Sequence, residues 1–145
     1  MAAVNPVVTN VLSIPLASIT VSHNPRRACA TLQDALAAEG YEGYTLLDLI
    51  HKLALGTVEQ KAEYVRLLDT YEGTDVQDGV VRLAISRANH EIQPILLRDF
   101  RAKPAGEAEY VTRYGIVGGE RRCLAAAYNH AKHGNKPVIG ATVKK

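Results

Sequence analysis

Residues 114–126 read Tyr-Gly-Ile-Val-Gly-Gly-Glu-Arg-Arg-Cys-Leu-Ala-Ala. The stretch changes character at its middle. Tyr110 to Val117 is rich in β-branched and aromatic residues and reads as a strand. From 119 to 132 the apolar residues Leu124, Ala125, Ala127, Tyr128 and Ala131 recur at helical spacing, and Gly134 supplies a stop. The join is Gly118-Gly119, where two glycines let the backbone turn sharply and come close to a ligand. A strand running through a glycine turn into a helix is an α/β signature, and the chain is read outward from it.

Upstream, Gln93 to Arg98 reads as a strand that begins at Pro94, a position where a missing N–H costs least. Lys103-Pro104-Ala105-Gly106 has turn composition, so this strand and Tyr110–Val117 are expected to form an antiparallel hairpin. Downstream, Pro137 to Val143 reads as a closing strand. Residues 31–80 are helical in pattern. Thr31 caps a short helix through Leu32, Ala35 and Leu36 that stops at Gly40. Thr45 opens a second helix with Leu46, Leu49, Ile50 and Leu53 on one face, ending at Gly56. Thr57 and Gln60 form a capping-box pattern before a third, whose expected stripe is Val58, Ala62, Val65 and Leu68, ending near Tyr71. A fourth helix is expected from Thr74 to Asn89. At the start, residues 1–10 read as a loose arm, and Val11 to Val21 as one bent or edge strand interrupted by Pro15. That strand leads into Ser22-His23-Asn24-Pro25-Arg26-Arg27, a basic turn. The expected fold is α/β (α+β), a small mixed sheet flanked by helices, in a single domain over 1–145.

Bulk properties set the limits. With 145 residues, 47% hydrophobic content and a net charge of +2, the chain falls among globular proteins, and its charge total says nothing about nucleic acid. No apolar run approaches a membrane span, and the N-terminus lacks a basic start followed by a long apolar stretch. A cytoplasmic protein with no membrane partner is therefore expected. Cys29 and Cys123 have neither CxxC spacing nor paired histidine ligands, so free thiols are expected and no metal site. His23, His51, His90, His130 and His133 show no cluster spacing and read as surface residues.

The chemistry concentrates at Gly118-Gly119-Glu120-Arg121-Arg122. The first turn of a helix carries N–H groups with no intrahelical partner and the positive end of the helix dipole, and both favour an anion. Two arginines at that positive end repel it and each other, which an anionic ligand such as a nucleotide phosphate would offset. The plainer alternative is a tight connection whose arginines are solvated or paired with Glu120.

Three separated segments resemble the ParB N-terminal domain, whose fold is shared by ParB partition proteins and sulfiredoxin. The first is Ile14-Pro15-Leu16-Ala17-Ser18-Ile19 running to Asn24-Pro25-Arg26-Arg27. The second is Leu83 to Arg98, with Gln93-Pro94-Ile95 at its centre. The third is the Gly119-Glu120-Arg121-Arg122 box. Together they cover about half of the chain. The resemblance implies a nucleotide pocket for CTP, with magnesium as a candidate companion. Gln93, Gly118, Gly119, Glu120, Arg121 and Arg122 would make the contacts, and Arg26 or Arg27 would close over them. It further implies a homodimeric, nucleotide-gated clamp or switch in DNA partition, on a plasmid or other mobile element, with slow CTP hydrolysis.

Departures from the family pattern qualify this. Residues 31–80 supply a helical insertion. No Asn-rich metal-binding helix or helix-turn-helix follows Lys145, as in a fragment of a longer family member, so DNA contact is expected through regions outside this chain. Where sulfiredoxin carries its catalytic cysteine, this chain has Glu120, and Cys123 one turn later is expected to be an inert core thiol. Two alternatives stand beside the clamp. One is a kinase of free serine, or a nuclease, on the same fold, with Glu120 as base or metal partner. The other is a nucleotide-independent interaction module built on the inserted helices, with Tyr41, Tyr44, Tyr64 and Tyr71 at its surface, although packing of these tyrosines against the core is the simpler expectation.

Overall fold

The computed structural model describes residues 11–22, 34, 36–40, 45–71, 83–84 and 94–144. Five strands form one mixed sheet: β1 (Leu12–Pro15), β2 (Ile19–Ser22), β3 (Ile95–Ala102), β4 (Val111–Gly118) and β5 (Val138–Lys144). Three helices accompany it: α1 (Leu46–Leu55), α2 (Val58–Tyr71) and α3 (Glu120–His133). Residues 34, 36–38 and 83–84 are helical as well. This is an α/β fold, a small mixed sheet flanked by helices.

The strand order is β1-β5-β3-β4-β2. The hairpin read from the sequence is present, with β3 and β4 antiparallel and Glu107 N–H bonded to the Pro104 carbonyl at 3.0 Å in the turn. Both edge strands come from one short segment. The expected single strand over Val11 to Val21 is instead β1, a 3-10 turn at Leu16–Ser18, and β2, which lie at opposite edges of the sheet. Pro15 ends β1 and cannot donate to a ladder. Four residue steps reach at most about 14 Å, whereas four strand spacings across a flat sheet come to about 19 Å. The sheet must therefore curl until its edges approach. Leu16 and Ile19, both fully buried, fill the space between them. The expected closing strand is central: β5 sits between β1, to which it is antiparallel, and β3, to which it is parallel.

On the sheet's inner face Ile95, Leu97, Ile116, Ile139 and Ala141 are buried. Helix α3 lies against this face, and its other sides meet α1 and α2. It is consequently buried almost all round, from Cys123 through Asn129. Ala125, Ala126 and Ala127 let neighbouring backbones approach closely. Helix α1 joins the core through Leu46, Leu49, Ile50 and Leu53, the face read from the sequence. Its start is held by a capping box, in which Asp48 N–H donates to Thr45 Oγ1 at 3.2 Å and Thr45 N–H donates to Asp48 Oδ2 at 2.8 Å. Helix α2 starts with the expected box between Thr57 and Gln60.

Half of the expected stripe on α2 faces the core: Leu68 is buried and Val65 packs half-buried against it, but the other two residues do not. Val58 is 80% exposed, and Ala62 is exposed too, while Tyr64, Leu67 and Leu68 are buried. Counting Tyr64 as apolar shifts the stripe around the helix, and a large ring outweighs valine and alanine in the area it buries. Tyr64 thus packs into the core. Tyr41, Tyr44 and the side chain of Tyr71 lie outside what is described, as does all of the expected fourth helix except 83–84.

Polar ties bind the helices together. Tyr128 Oη donates to Asp69 Oδ1 at 2.6 Å, and Lys132 Nζ lies 2.8 Å from Tyr128 Oη and 3.1 Å from Asp69 Oδ2. Buried Asn129 donates from Nδ2 to the Ala84 carbonyl at 3.0 Å. Two histidines expected at the surface are half-buried and bonded. His51 Nε2 donates to the Ile19 carbonyl at 2.6 Å, tying α1 to β2. His130 Nδ1 lies 2.7 Å from the Asn135 carbonyl, which can only accept, so Nδ1 carries the proton and Nε2 accepts from Lys61 Nζ at 3.0 Å. His23 and His90 lie outside the described residues, and His133 is exposed.

Candidate functional site

The turn from β4 into α3 stands at one end of the sheet. Strand β4 ends there at Gly118, β3 begins there at Ile95, and β2 finishes there, with Ser22 in register with Ile116. The β3–β4 register slips between Leu96, which pairs with Gly118, and Leu97, which pairs with Ile116, so a bulge at Val117 stands one step before the turn.

The two glycines have different roles. Gly119 is the N-cap of α3 in a left-handed conformation, with φ 108° and ψ 28°. A Cβ on it would lie 2.7 Å from Ile95 Cβ and nearer still to Ile95 Cγ2. It therefore needs both its backbone freedom and its bareness, and Ile95 is the floor it rests on. A Cβ on Gly118 would meet nothing within 4 Å. Space beside Gly118 is thus open at the mouth of the turn. A glycine N-cap also brings no side-chain oxygen to the first turn of α3, whose leading N–H groups lack the cap that serine or aspartate would give.

Arg121 and Arg122 follow at the second and third helical positions, both half-buried. Arg122 Nη1 donates to the Pro94 carbonyl at 3.2 Å, which holds its guanidinium beside the start of β3. Glu120 is only 9% exposed. It shares the i, i+3, i+4, i+7 row with Cys123, Leu124 and Ala127, the buried side of the helix. Its Oε1 is buried without a hydrogen-bond partner. Such an atom carries a full desolvation cost unless a donor or a cation reaches it. Hence the plain reading, in which Glu120 pairs with the neighbouring arginines, does not account for Oε1.

Of the site residues expected from the sequence, Gly118, Gly119, Glu120, Arg121 and Arg122 come together at this turn. Gln93, Arg26 and Arg27 lie outside the described residues. Cys123 is fully buried and forms no disulfide. Pro94 and Ile95, part of the Gln93-Pro94-Ile95 segment of the family resemblance, complete the turn. The packing of Gly119 on Ile95 was not read from the sequence, because no local pattern in a strand's first residues announces that a distant glycine will rest on them.

Among the described residues no three His, Cys, Asp or Glu side chains gather as a metal-binding group, and no helix is long and apolar enough to cross a membrane. No protein-family model matches the chain, and neither does any curated protein or solved structure.

Proposed function

We propose that this chain is a nucleotide-binding domain of the ParB-like kind, taking the phosphates of CTP at the β4–α3 turn. In this reading it serves a DNA partition or mobile-element protein as a homodimeric, nucleotide-gated switch. The observation that carries the proposal is the contrast between the two glycines. One is bare because it packs on Ile95, whereas the other is bare with open space around it. Open space at an uncapped helix N-terminus, flanked by two arginines, suits a phosphate. The three segments of family resemblance bear on the same end of the sheet, since the first leads out of β2 and the second leads into β3.

Glu120 is the described group that fits a companion magnesium ion. Magnesium is commonly held by one or two carboxylates together with substrate phosphates and water, and the unpartnered Oε1 is a hard oxygen donor of that type. Bound there, the ion would neutralise phosphate charge. The same atom keeps slow hydrolysis, or phosphoryl transfer to a small hydroxyl compound, within the chemistry open to this site.

Isothermal titration calorimetry with CTP and with ATP, magnesium present, on the native chain and on Arg121→Ala, tests the proposal. Selective CTP binding that is lost in the variant is the expected result. ATP selectivity would favour the kinase alternative. Absence of binding to either would remove the nucleotide reading and leave the interaction module.

A further inference from the structure

The outer face of the sheet, turned away from α3, has a composition that packing does not explain. Strand alternation and register place Leu96, Arg98 and Phe100 of β3 on it, with Arg113 of β4 and Thr142 and Lys144 of β5. All six are half-buried or exposed, in contrast to the buried Ile95, Leu97, Ile139 and Ala141 of the inner face. No acidic residue stands on this face among the described strands.

Arg98 and Lys144 are in direct register on adjacent parallel strands. Like charges directly opposite one another destabilise a sheet. Both side chains are exposed, and among the described residues neither makes an ion pair. On the other side, Phe100 is in register with Arg113, whose Nη1 donates to the Thr112 carbonyl at 3.1 Å. The Phe100 backbone thus lies about 6.7 Å from that of Arg98, two residues along its own strand, and about 5 Å from that of Arg113 on the next strand. At the far end of the hairpin the pattern recurs. Tyr110 is 60% exposed, with Arg101 Cζ and Lys103 Nζ 5.8 and 5.9 Å from its ring centroid.

We propose that this outer face binds single-stranded nucleic acid, with Arg98, Arg113 and Lys144 on the phosphate backbone and Phe100 as a stacking platform for a base. Charge complementarity selects a polyanion, since three cations without a counter-charge leave a standing repulsion that a phosphate chain relieves. The aromatic ring among them selects unpaired bases over an acidic peptide or a duplex, because only an exposed base face can stack on it. Arg98, Phe100, Arg113 and Lys144 are not among the residues assigned to the β4–α3 turn, so the two sites can be tested apart.

Fluorescence anisotropy with a short labelled oligothymidine tests this. Three phosphate contacts give a slope of log affinity against log salt near −2, so affinity should fall roughly 20-fold between about 50 and 200 mM salt. Arg98→Glu and Lys144→Glu should each weaken binding and flatten that slope, with circular dichroism unchanged at these exposed positions. Phe100→Leu should lower affinity about tenfold with the slope intact. Arg121→Ala should bind like the native chain. The proposal is overturned by no anisotropy change at low salt, by equal affinity for a duplex of the same length, or by polyglutamate competing as well as the oligonucleotide. It is equally overturned if Arg121→Ala abolishes binding while Arg98→Glu does not, since the oligonucleotide would then sit at the turn.

Discussion

Replacing each glycine of the turn by alanine separates packing from ligand binding. In Gly119→Ala the new Cβ meets two penalties. A φ of 108° is strained for any L side chain, at about 1–2 kcal/mol. The Cβ also runs into Ile95, a β-branched residue 1% exposed and held in a strand, and overpacking of that kind costs about 1–3 kcal/mol. The sum is about 2–5 kcal/mol, a large part of the roughly 5–15 kcal/mol that holds a domain together. At about 3 °C per kcal/mol for a chain of this size, Tm should drop by roughly 6–15 °C. Gly118→Ala adds a methyl group to open space, so its Tm should stay within about 2 °C of native, consistent with a change inside ±0.5 kcal/mol. Thermal unfolding followed by circular dichroism, with calorimetric titration of CTP on the same samples, reads both effects. Gly118→Ala should keep its stability and lose nucleotide affinity. Ile95→Leu, which removes Cγ2, should recover part of the loss in Gly119→Ala, giving a coupling energy beyond the sum of the single changes. An unchanged Tm in Gly119→Ala would refute the packing argument. Full CTP affinity in Gly118→Ala would refute the assignment of the open space to phosphate.

Two further predictions concern the ties between helices. Burial, and then the hydrogen bond to Asp69, hold the Tyr128 hydroxyl above its ordinary pKa near 10, and Lys132 is raised by its bonds to Tyr128 and Asp69. For both groups the folded state retains a proton that the unfolded chain releases. Their stabilisation is therefore complete below about pH 10 and is lost as pH rises through the elevated values. Tm should accordingly fall more steeply above pH 10 in the native chain than in Tyr128→Phe, and parallel curves would disprove the coupling. Asn129→Leu should cost about 1–3 kcal/mol in a urea titration, because it leaves the Ala84 carbonyl without its donor. A loss below about 0.5 kcal/mol would mean that water replaces the amide.

Local signals carried much of this fold. The capping boxes at Thr45 and Thr57, the glycine stops at Gly56 and Gly134, the hairpin turn at Pro104–Gly106 and the strand-to-helix change at Gly118-Gly119 are short-range features. Each is settled by a few neighbouring residues whose conformational preferences are intrinsic, and the structure has each of them. The amino-acid sequence alone also brought five of the expected site residues to attention, since they are contiguous at one turn. It missed the alternating Arg98, Phe100 and Arg113 face, because cations become neighbours across strands only once a register exists.

Tertiary structure decided the rest. Nothing local in Leu12–Ser22 says that its two halves lie at opposite edges of one sheet, or that Val138–Lys144 enters between β1 and β3. The β1–β5 pairing joins residues more than 120 positions apart and the β2–β4 pairing residues more than 90 apart, and both follow from closing a curled sheet around Leu16 and Ile19. The buried face of α2 was likewise settled by what α1 and α3 offered Tyr64 to pack against. Gly118 and Gly119 are alike on paper. Only the fold gives one of them Ile95 to rest on and leaves the other beside open space, because the difference lies in a through-space contact that no run of neighbouring residues can encode.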